Sequence, residues 1–311
     1  MTRPTDDQIF ARYANEPAPL LPILHAFHDR DGFLSEEALR TISKRLRHPL
    51  ADLYGTVTFY HFFQRHPPGK QAPRVCDGVI CKLRGSDALL AELRAEGATP
   101  MPCAGRCDGP IPVLRGDQVL VGTRASDLRA EPSPLPPPNP GGTPECVFAA
   151  IRAPGRAMLQ GYLATGGFAG LKAALALPPE GVIQQITESK LAGRGGAGFP
   201  TGAKWQAVRE ATGGPKTIVA NADEGEPGCF KDRALMDHDP FALLEGMAIA
   251  GYACGANQGF IYLRYEYPET YAILERAIEE AERAGWLGSS VGGSGFAFRV
   301  WLRRGAGAYI C

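Results

Sequence analysis

The chain has 311 residues, and its 33 lysines and arginines are balanced by 33 aspartates and glutamates. A neutral chain lacks the broad basic face with which proteins bind nucleic acids, so no nucleic-acid partner is expected. With 44% hydrophobic and 21% charged residues, the composition excludes a disordered chain, and the length allows roughly two or three domains.

Neither a targeting segment nor a membrane span is predicted. The N-terminal residues contain no apolar core of a secretory signal peptide. The most apolar stretch, residues 241–263, contains Glu245 and several glycines, so a buried helix followed by a strand is favoured over a membrane span. We therefore expect a cytoplasmic protein. Its eight cysteines are then expected to be reduced, and clustered ones to bind metal or act in redox chemistry.

Residues 1–70 are predicted to form a helical segment. Apolar residues recur every three or four positions in 20–33 and 35–46, with Ser35 as a candidate N-cap, and a third apolar stretch follows at 49–64. A helix-turn-helix DNA reader is an alternative, but the segment is not basic enough to favour it.

Residues 71–128 are predicted to form a compact α/β or α+β unit. Short β-like runs at 73–81 and 111–122 flank an amphipathic helix at 84–97, and Arg-Gly-Asp-Gln inside the second run indicates a hairpin turn. Residues 129–155 are predicted to be a linker, because the consecutive prolines within 130–142 favour a semi-rigid, extended polyproline II conformation.

Residues 156–311 are predicted to form a third unit, an α/β domain. Strand patterns alternate with helix patterns along this part of the chain, at 216–221, 240–254, 259–265, 268–285 and 296–304. Such alternation predicts a mainly parallel sheet covered by helices. We treat the first strand as buried, and we expect a ligand site at the carboxyl ends of the strands.

Four cysteines in the second unit form two close pairs, Cys76 with Cys81 and Cys103 with Cys107. Two tight pairs in one small unit favour a metal site over four separate buried thiols. Thiolates are ligands of both zinc and iron–sulfur clusters, and the spacing alone leaves the two equally plausible.

A glycine-rich loop precedes the first strand of the third unit. Gly193, Gly195 and Gly198 fit the spacing of the dinucleotide fingerprint, but the upstream residues 180–191 look helical where that fingerprint requires a strand. The glycines still allow the backbone to lie against a flat ring or a phosphate. Pro200 and Thr201 can open a helix whose N-terminus favours an anion.

A second segment, residues 221–233, follows the strand at 216–221 directly. Asn221, Asp223, Glu224 and Glu226 therefore lie at the carboxyl end of a strand, where an α/β fold builds its site. Carboxylates and an amide suit the hydroxyl groups and the polar edge of a flavin.

Together these segments resemble a known family. The sequences GRGGAGFPTGAKW (193–205) and NADEGEPGCFKDR (221–233) are similar to the flavin- and NADH-binding subunit of respiratory complex I and to its counterparts in NAD-reducing hydrogenases and NAD-dependent formate dehydrogenases. The N-terminal part, with YGTVTFYHFF (54–63), PPGK (67–70) and the four cysteines, resembles the thioredoxin-like [2Fe–2S] partner subunit. The resemblance implies a helical bundle, a thioredoxin-like domain and an incomplete Rossmann-like flavin domain.

The resemblance also implies site residues and a reaction. Cys76, Cys81, Cys103 and Cys107 match the [2Fe–2S] ligands, which decides against zinc. The positions that match FMN contacts are Gly193, Arg194, Gly195, Gly196, Gly198, Lys204, Asn221, Asp223 and Glu224. The positions that match NADH contacts are Phe199, Glu226 and Tyr309, with Glu226 assigned to the catalytic site. The implied function is hydride transfer between NAD(H) and FMN, followed by one-electron transfer to iron–sulfur clusters within a multi-subunit complex.

Three departures from the family pattern bear on that function. The span between Cys81 and Cys103 is shorter than usual, and Cys229 stands where threonine or serine is usual. The chain ends at GAGAYIC, inside a motif that the family continues, so we expect a C-terminally truncated flavin domain. A non-catalytic [2Fe–2S] electron-transfer or assembly fragment is therefore the alternative function, and a zinc-binding interaction protein is a weaker one.

Overall fold

The computed structural model describes residues 3–67 and 69–308. The chain begins with four helices: α1 (Asp6–Arg12), α2 (Leu20–Asp31), α3 (Glu36–Leu46) and α4 (Leu50–Phe59). The predicted cap is confirmed, because the Ser35 side chain accepts a hydrogen bond from the Ala38 amide at 3.1 Å. Gly32, with φ +82°, ends α2 in the left-handed conformation that glycine adopts without strain. The helical bundle predicted at the N-terminus is therefore present.

The four-cysteine part of the chain forms a four-stranded sheet with helices. Its elements are β1 (Arg74–Cys76), α5 (Val79–Leu83), α6 (Ser86–Glu92), β2 (Thr99–Met101), β3 (Ile111–Arg115) and β4 (Gln118–Gly122). The strand order is β2-β1-β3-β4, with β1 parallel to β2 and antiparallel to β3. The predicted hairpin is confirmed as β3 and β4, and the topology is thioredoxin-like.

The remaining elements form an α/β layer around a parallel sheet. Four helices come first, α7 (Leu159–Ala164), α8 (Ala169–Leu175), α9 (Pro179–Glu188) and α10 (Thr201–Glu210). The alternating part follows as β5 (Thr217–Ala222), α11 (Lys231–His238), α12 (Pro240–Cys254), β6 (Gln258–Leu263), α13 (Pro268–Arg283) and β7 (Arg299–Arg304). The order β5-β6-β7 is parallel throughout, as the alternation predicts.

The description of the first strand of this sheet as buried was wrong. β5 is an edge strand, and its only strand partner within residues 3–67 and 69–308 is β6. Ile218 and Ala220 pack against the core that α12 helps to build, whereas Val219 faces the other way and is 62% exposed. Successive side chains of a strand point to opposite faces of the sheet, and only one face of β5 is covered, so alternate residues are exposed.

The apolar stretch 241–263 is α12 followed by β6, as predicted. Among the residues that the structure describes, no helix is long and apolar enough to cross a membrane.

The N-terminal helices pack against the carboxyl end of β7. His25 Nε2 lies 3.0 Å from the carbonyl oxygen of Arg304, and the Phe62 amide donates to the carbonyl of Ala306 at 2.9 Å. The Arg304 guanidinium pairs with Asp29 at 2.6 Å. The helical bundle and the α/β layer therefore share a packed, charged contact.

Buried histidines in this contact predict an acid-sensitive fold. His28 Nε2 accepts the Gln64 amide at 3.1 Å, and burial, reinforced by the charge of Arg74, lowers the pKa of His28 from 6.5 to about 3. As the pH falls, His28 takes up a proton more readily in the unfolded chain than in the folded one. Its contribution to the free energy of unfolding is therefore fully present above about pH 6.5 and is lost as the pH drops towards 3, by up to about 1 kcal/mol per pH unit. The measurement is the urea concentration at half unfolding, at pH 7.5 and at pH 4.5. The difference between these two concentrations should be smaller for His28→Gln than for the original chain. The exposed His66→Gln is the control, and an equal narrowing there would contradict the assignment.

Candidate functional site

Four cysteine side chains meet at one end of the thioredoxin-like sheet. Cys76 ends β1, Cys81 lies in α5, and Cys103 and Cys107 lie in the loop after β2. Cys103 Sγ is 3.7 Å from Cys107 Sγ, and the neighbouring Cys103 and Cys81 thiols raise the pKa of Cys76. The four sulfur atoms therefore form a continuous row in the order 81, 76, 103, 107.

Within each pair of this row, contact between the two thiols shifts their pKa values in opposite directions. The hydrogen bond from Cys107 lowers the pKa of Cys103, and the same contact raises the pKa of Cys107. The hydrogen bond from Cys76 likewise lowers the pKa of Cys81. Each pair thus combines one thiol of lowered pKa with one of raised pKa, and both pairs release protons when a metal binds.

Backbone amides of the cysteine loop point at these sulfurs. The Ala104 amide lies 3.4 Å from Cys76 Sγ, and the Gly105 amide lies 3.5 Å from Cys103 Sγ. Gly105 is required here, because a Cβ at this position would lie 2.0 Å from the Tyr267 hydroxyl. Amide donors are the partners that iron–sulfur sulfurs receive in proteins.

These observations fit a [2Fe–2S] centre, which takes two thiolates on each iron. The donor set is all sulfur, it is divided into two pairs, and it is surrounded by amide donors. Within residues 3–67 and 69–308, no three cysteine, histidine, aspartate or glutamate side chains are gathered as a single-ion site would require.

The carboxyl ends of the parallel strands meet the cysteine loop. A small cavity there is lined by Cys103 from that loop, Asp223 after β5, Arg264 and Glu266 after β6, and Gly307 after β7. Burial, reinforced by the charge of Glu266, raises the pKa of Asp223 to about 6. The strand ends therefore form a site, as the fold class predicts, and that site has the cysteine loop as one wall.

Glu224 is the most buried acid of the 221–226 segment, at 7% exposure. Its carboxylate accepts the amides of Asp232 at 2.9 Å and Arg233 at 3.1 Å, and the Tyr267 hydroxyl at 3.1 Å. The side chain thus holds the start of α11, a role different from the FMN contact that the resemblance implies for it. That FMN contact stays a prediction.

Asn221 and Glu226 are exposed on the same segment. The Asn221 side chain accepts the Asp223 amide at 3.0 Å, which fixes the turn after β5. Glu226 Oε2 lies 4.0 Å from Cys229 Sγ.

Two arginines fasten this segment to the cysteine loop. Arg264 donates to the carbonyls of Cys103 and Glu224 and forms an ion pair with Glu266 at 3.0 Å. Arg233 pairs with Asp108 at 2.6 Å and donates to the Gly105 carbonyl at 3.3 Å.

The backbone of Gly228 completes this contact. Its amide acts to lower the pKa of Cys103 and Cys107, and at Cys107 the opposite effect of Cys103 is larger. Sequence reasoning gave no role to Arg233, Arg264 or Tyr267. Arg233 lies within the 221–233 motif, and the position of Arg264 directly after β6 was a second available signal.

The glycine-rich loop lies on the surface. The Gly193 amide donates to the Phe199 carbonyl at 2.9 Å, which closes the loop, and Phe199 is 57% exposed. The expected helix begins at Thr201, where α10 packs against α9. Gly196 and Gly198 have φ of +105° and +61°, and Arg194 and Lys204 are exposed.

Not all of the predicted site residues are in contact in the structure. In the described part of the chain, no hydrogen bond or ion pair links the glycine-rich loop to residues 221–226. Their closure over one ligand stays a prediction, and Tyr309 lies outside the described residues.

This fold and site define a class of protein: a thioredoxin-like domain with a four-cysteine site, fastened to a Rossmann-like α/β domain. Comparison with protein families agrees, since residues 186–311 match the Nuo51 FMN-binding domain and residues 7–102 match the thioredoxin-like [2Fe-2S] ferredoxin. Each of these segments is similar to the family whose model it matches.

Known proteins combine both parts. The chain is 36% identical to the NAD-reducing hydrogenase HoxS subunit alpha of Cupriavidus necator, over 97% of this chain and 55% of that protein. It is 52% identical to an NADH-quinone oxidoreductase subunit of Aquifex aeolicus, over 48% of this chain and 35% of that protein. A crystal structure of NAD⁺-reducing [NiFe]-hydrogenase in the air-oxidized state superimposes with a TM-score of 0.70 at 27% identity, covering 94% of this chain and 52% of that one. The chain thus spans about half the length of the hydrogenase subunit.

Proposed function

We propose that the protein is an NADH dehydrogenase (diaphorase) module that transfers hydride between NAD(H) and FMN and then single electrons to an iron–sulfur centre. One observation carries the proposal: the segment after β5 contacts the four-cysteine loop directly. Arg264 joins the carbonyls of Glu224 and Cys103, and Arg233, near the start of α11, pairs with Asp108 of the cysteine loop at 2.6 Å. A flavin held by that segment would therefore be close to the cluster.

The chain's own residues have separate tasks in this proposal. FMN would accept a hydride and return its electrons one at a time. The glycine-rich loop, Gly193 to Gly198, would lie against the ring and phosphate, with the positive charges of Arg194 and Lys204 beside them. Asn221 and Asp223 would accept hydrogen bonds from flavin hydroxyl groups. Cys76, Cys81, Cys103 and Cys107 would hold the iron.

The nicotinamide nucleotide would be oriented by residues at the exposed rim. Phe199 is exposed and can pack against an aromatic ring. Glu226, exposed on the segment after β5, would hydrogen-bond the nucleotide and is assigned to the catalytic site. Tyr309 is assigned to the same nucleotide, outside the described residues. Orientation of the two reacting rings is the contribution that the protein makes.

The partners proposed are the other subunits of a multi-subunit redox complex of the hydrogenase, complex I or formate dehydrogenase type. Relatives named above are subunits of a hydrogenase and of an NADH-quinone oxidoreductase. We further propose a cytoplasmic location, at the inner membrane only through those partners. As working units we propose residues 1–70, 71–128, 129–155 and 156–311, in the order helical segment, [2Fe–2S] domain, linker and flavin domain.

Anaerobic purification tests the function directly. The absorbance spectrum should show flavin and iron–sulfur bands, and NADH should bleach both. Iron with acid-labile sulfide but no flavin would favour the electron-transfer or assembly fragment. Zinc without acid-labile sulfide would contradict both and leave the zinc-binding interaction protein.

Replacing Gly195 by leucine tests the flavin site without disturbing the fold. A side chain at Gly195 meets nothing within 4 Å, and the residue does not need positive φ. The variant should fold normally, while its affinity for added FMN, measured by fluorescence quenching, should fall by about tenfold or more because the new side chain occupies the ligand's place.

The matched control is Gly246→Leu, since Gly246 is exposed on α12 and equally open. It should bind FMN as the original chain does. Equal FMN affinity in the Gly195 and Gly246 variants would contradict the placement of flavin against the glycine-rich loop.

A further inference from the structure

Arg74 is a buried arginine for which the described part of the chain provides no anion. The residue is 5% exposed, and none of its three guanidinium nitrogens has a hydrogen-bond partner. An unpaired buried charge is among the most costly arrangements in a protein interior. The position therefore calls for a compensating group that residues 3–67 and 69–308 do not provide.

Two aromatic rings hold the guanidinium in place. Its central carbon lies 4.6 Å from the centre of the Phe62 ring and 5.0 Å from that of Tyr265. Ring faces attract a cation, but they carry no net charge, so the positive charge of Arg74 is fixed in position without being neutralised.

Three acids on the elements around Arg74 have cations of their own. Glu266 pairs with Arg264 at 3.0 Å, and Lys70 pairs with Asp29 at 2.7 Å. Asp117 lies 3.1 Å from Arg304. The positive charge of Arg74 is therefore in excess.

Strand geometry directs this charge towards the cysteine site. Arg74 and Cys76 are two residues apart in β1, so their side chains leave the same face of the sheet with Cα atoms about 6.6 Å apart. The Tyr265 hydroxyl, on the ring that contacts Arg74, lies 4.0 Å from the sulfur of Met101, the residue paired with Cys76 across β1 and β2.

We infer that Arg74 is the buried counter-charge of the iron–sulfur centre and raises its reduction potential; this inference rests on the proposed function. A centre with four thiolates is anionic. Its one-electron reduction, with the electron coming from the reduced flavin, converts one ferric iron to ferrous and adds a negative charge without making or breaking a bond. A fixed cation nearby favours the more negative state.

The experiment compares midpoint potentials of the full chain reconstituted with ferrous iron and sulfide. Arg74→Met removes the charge but keeps an apolar stem between the rings, and it should lower the ratio of reduced to oxidised centre by about tenfold at the original midpoint. That fold-change corresponds to about 59 mV for a one-electron couple. Arg74→Lys keeps the charge and should stay within about threefold of the original ratio.

Lys82→Met is the matched control, because Lys82 is exposed beside Cys81 and its charge is screened by water. It should leave the ratio within about twofold. An equal change in the ratio of reduced to oxidised centre in Lys82→Met and Arg74→Met would overturn the inference. An unchanged ratio in Arg74→Met would overturn it as well.

Thermal unfolding of the iron-free chain is a second readout. Arg74→Met should unfold at the same or a higher temperature than the original chain, because it removes an uncompensated charge. A lower temperature with an unshifted potential would assign Arg74 to packing alone and overturn the inference. If Arg74→Met does not fold, a tenfold shift in Arg74→Lys overturns it. An original chain that takes up no cluster overturns the proposed function as well.

Discussion

Replacing Arg264 by methionine is expected to destabilise the protein by about 3–5 kcal/mol, because it leaves a buried carboxylate without its partner. Arg264 and Glu266 are 3% and 2% exposed and lie 3.0 Å apart. The same change removes the donors to the carbonyls of Cys103 and Glu224. Urea unfolding of the iron-free chain, followed by circular dichroism, measures the effect.

Two further variants make this prediction specific. Arg276→Met removes an arginine whose ion pair with Glu280 is long, at 3.8 Å, and partly exposed, so it should cost less than about 1 kcal/mol. Adding Glu266→Gln to Arg264→Met removes the orphaned charge and should restore part of the lost stability. A double variant that is less stable than Arg264→Met would show that the unpaired carboxylate is not the cause.

Replacing Cys103 by serine is expected to abolish the iron–sulfur centre. Cys103 lies in the interior of the sulfur row, so its loss breaks the Cys103–Cys107 pair and the link from that pair to Cys76. Iron should fall from about two atoms per chain to near zero, together with acid-labile sulfide. Colorimetric iron and sulfide assays on the reconstituted chain give the numbers.

The exposed Cys146→Ser is the control for that experiment, and it should retain the full iron content. A Cys103 variant that keeps its iron and sulfide would remove Cys103 from the ligand set. Zinc in place of iron in the original chain would instead contradict the nature of the centre while leaving the four thiols as ligands.

Local pattern was enough to predict much of the fold. The helix at Thr201, the cap at Ser35 and the hairpin of β3 and β4 depend on residues that are neighbours in the sequence. Propensity and capping act over that range. The parallel sheet followed from the alternation of strand and helix patterns, since each crossover needs a helix.

Long-range order could not be predicted in the same way. The run of apolar residues in β5 suggested a buried strand, whereas its place at the sheet edge depends on how three separate strands are ordered. The contact of Arg264 with Cys103 spans 161 residues and carries no sequence motif. The absence of an anion beside Arg74 also depends on residues brought together by folding. Pairings of this kind are visible only in three dimensions.

The fastening of the cysteine loop by Arg233 and Arg264 limits how the two halves can evolve. Each arginine binds backbone carbonyls of one half while anchored in the other, at Gly105 and at Cys103. A chimera that took its thioredoxin-like half from a distant relative would bring a loop of different path beneath both guanidinium groups. We therefore expect the two halves to keep these contacts only when both come from the same protein.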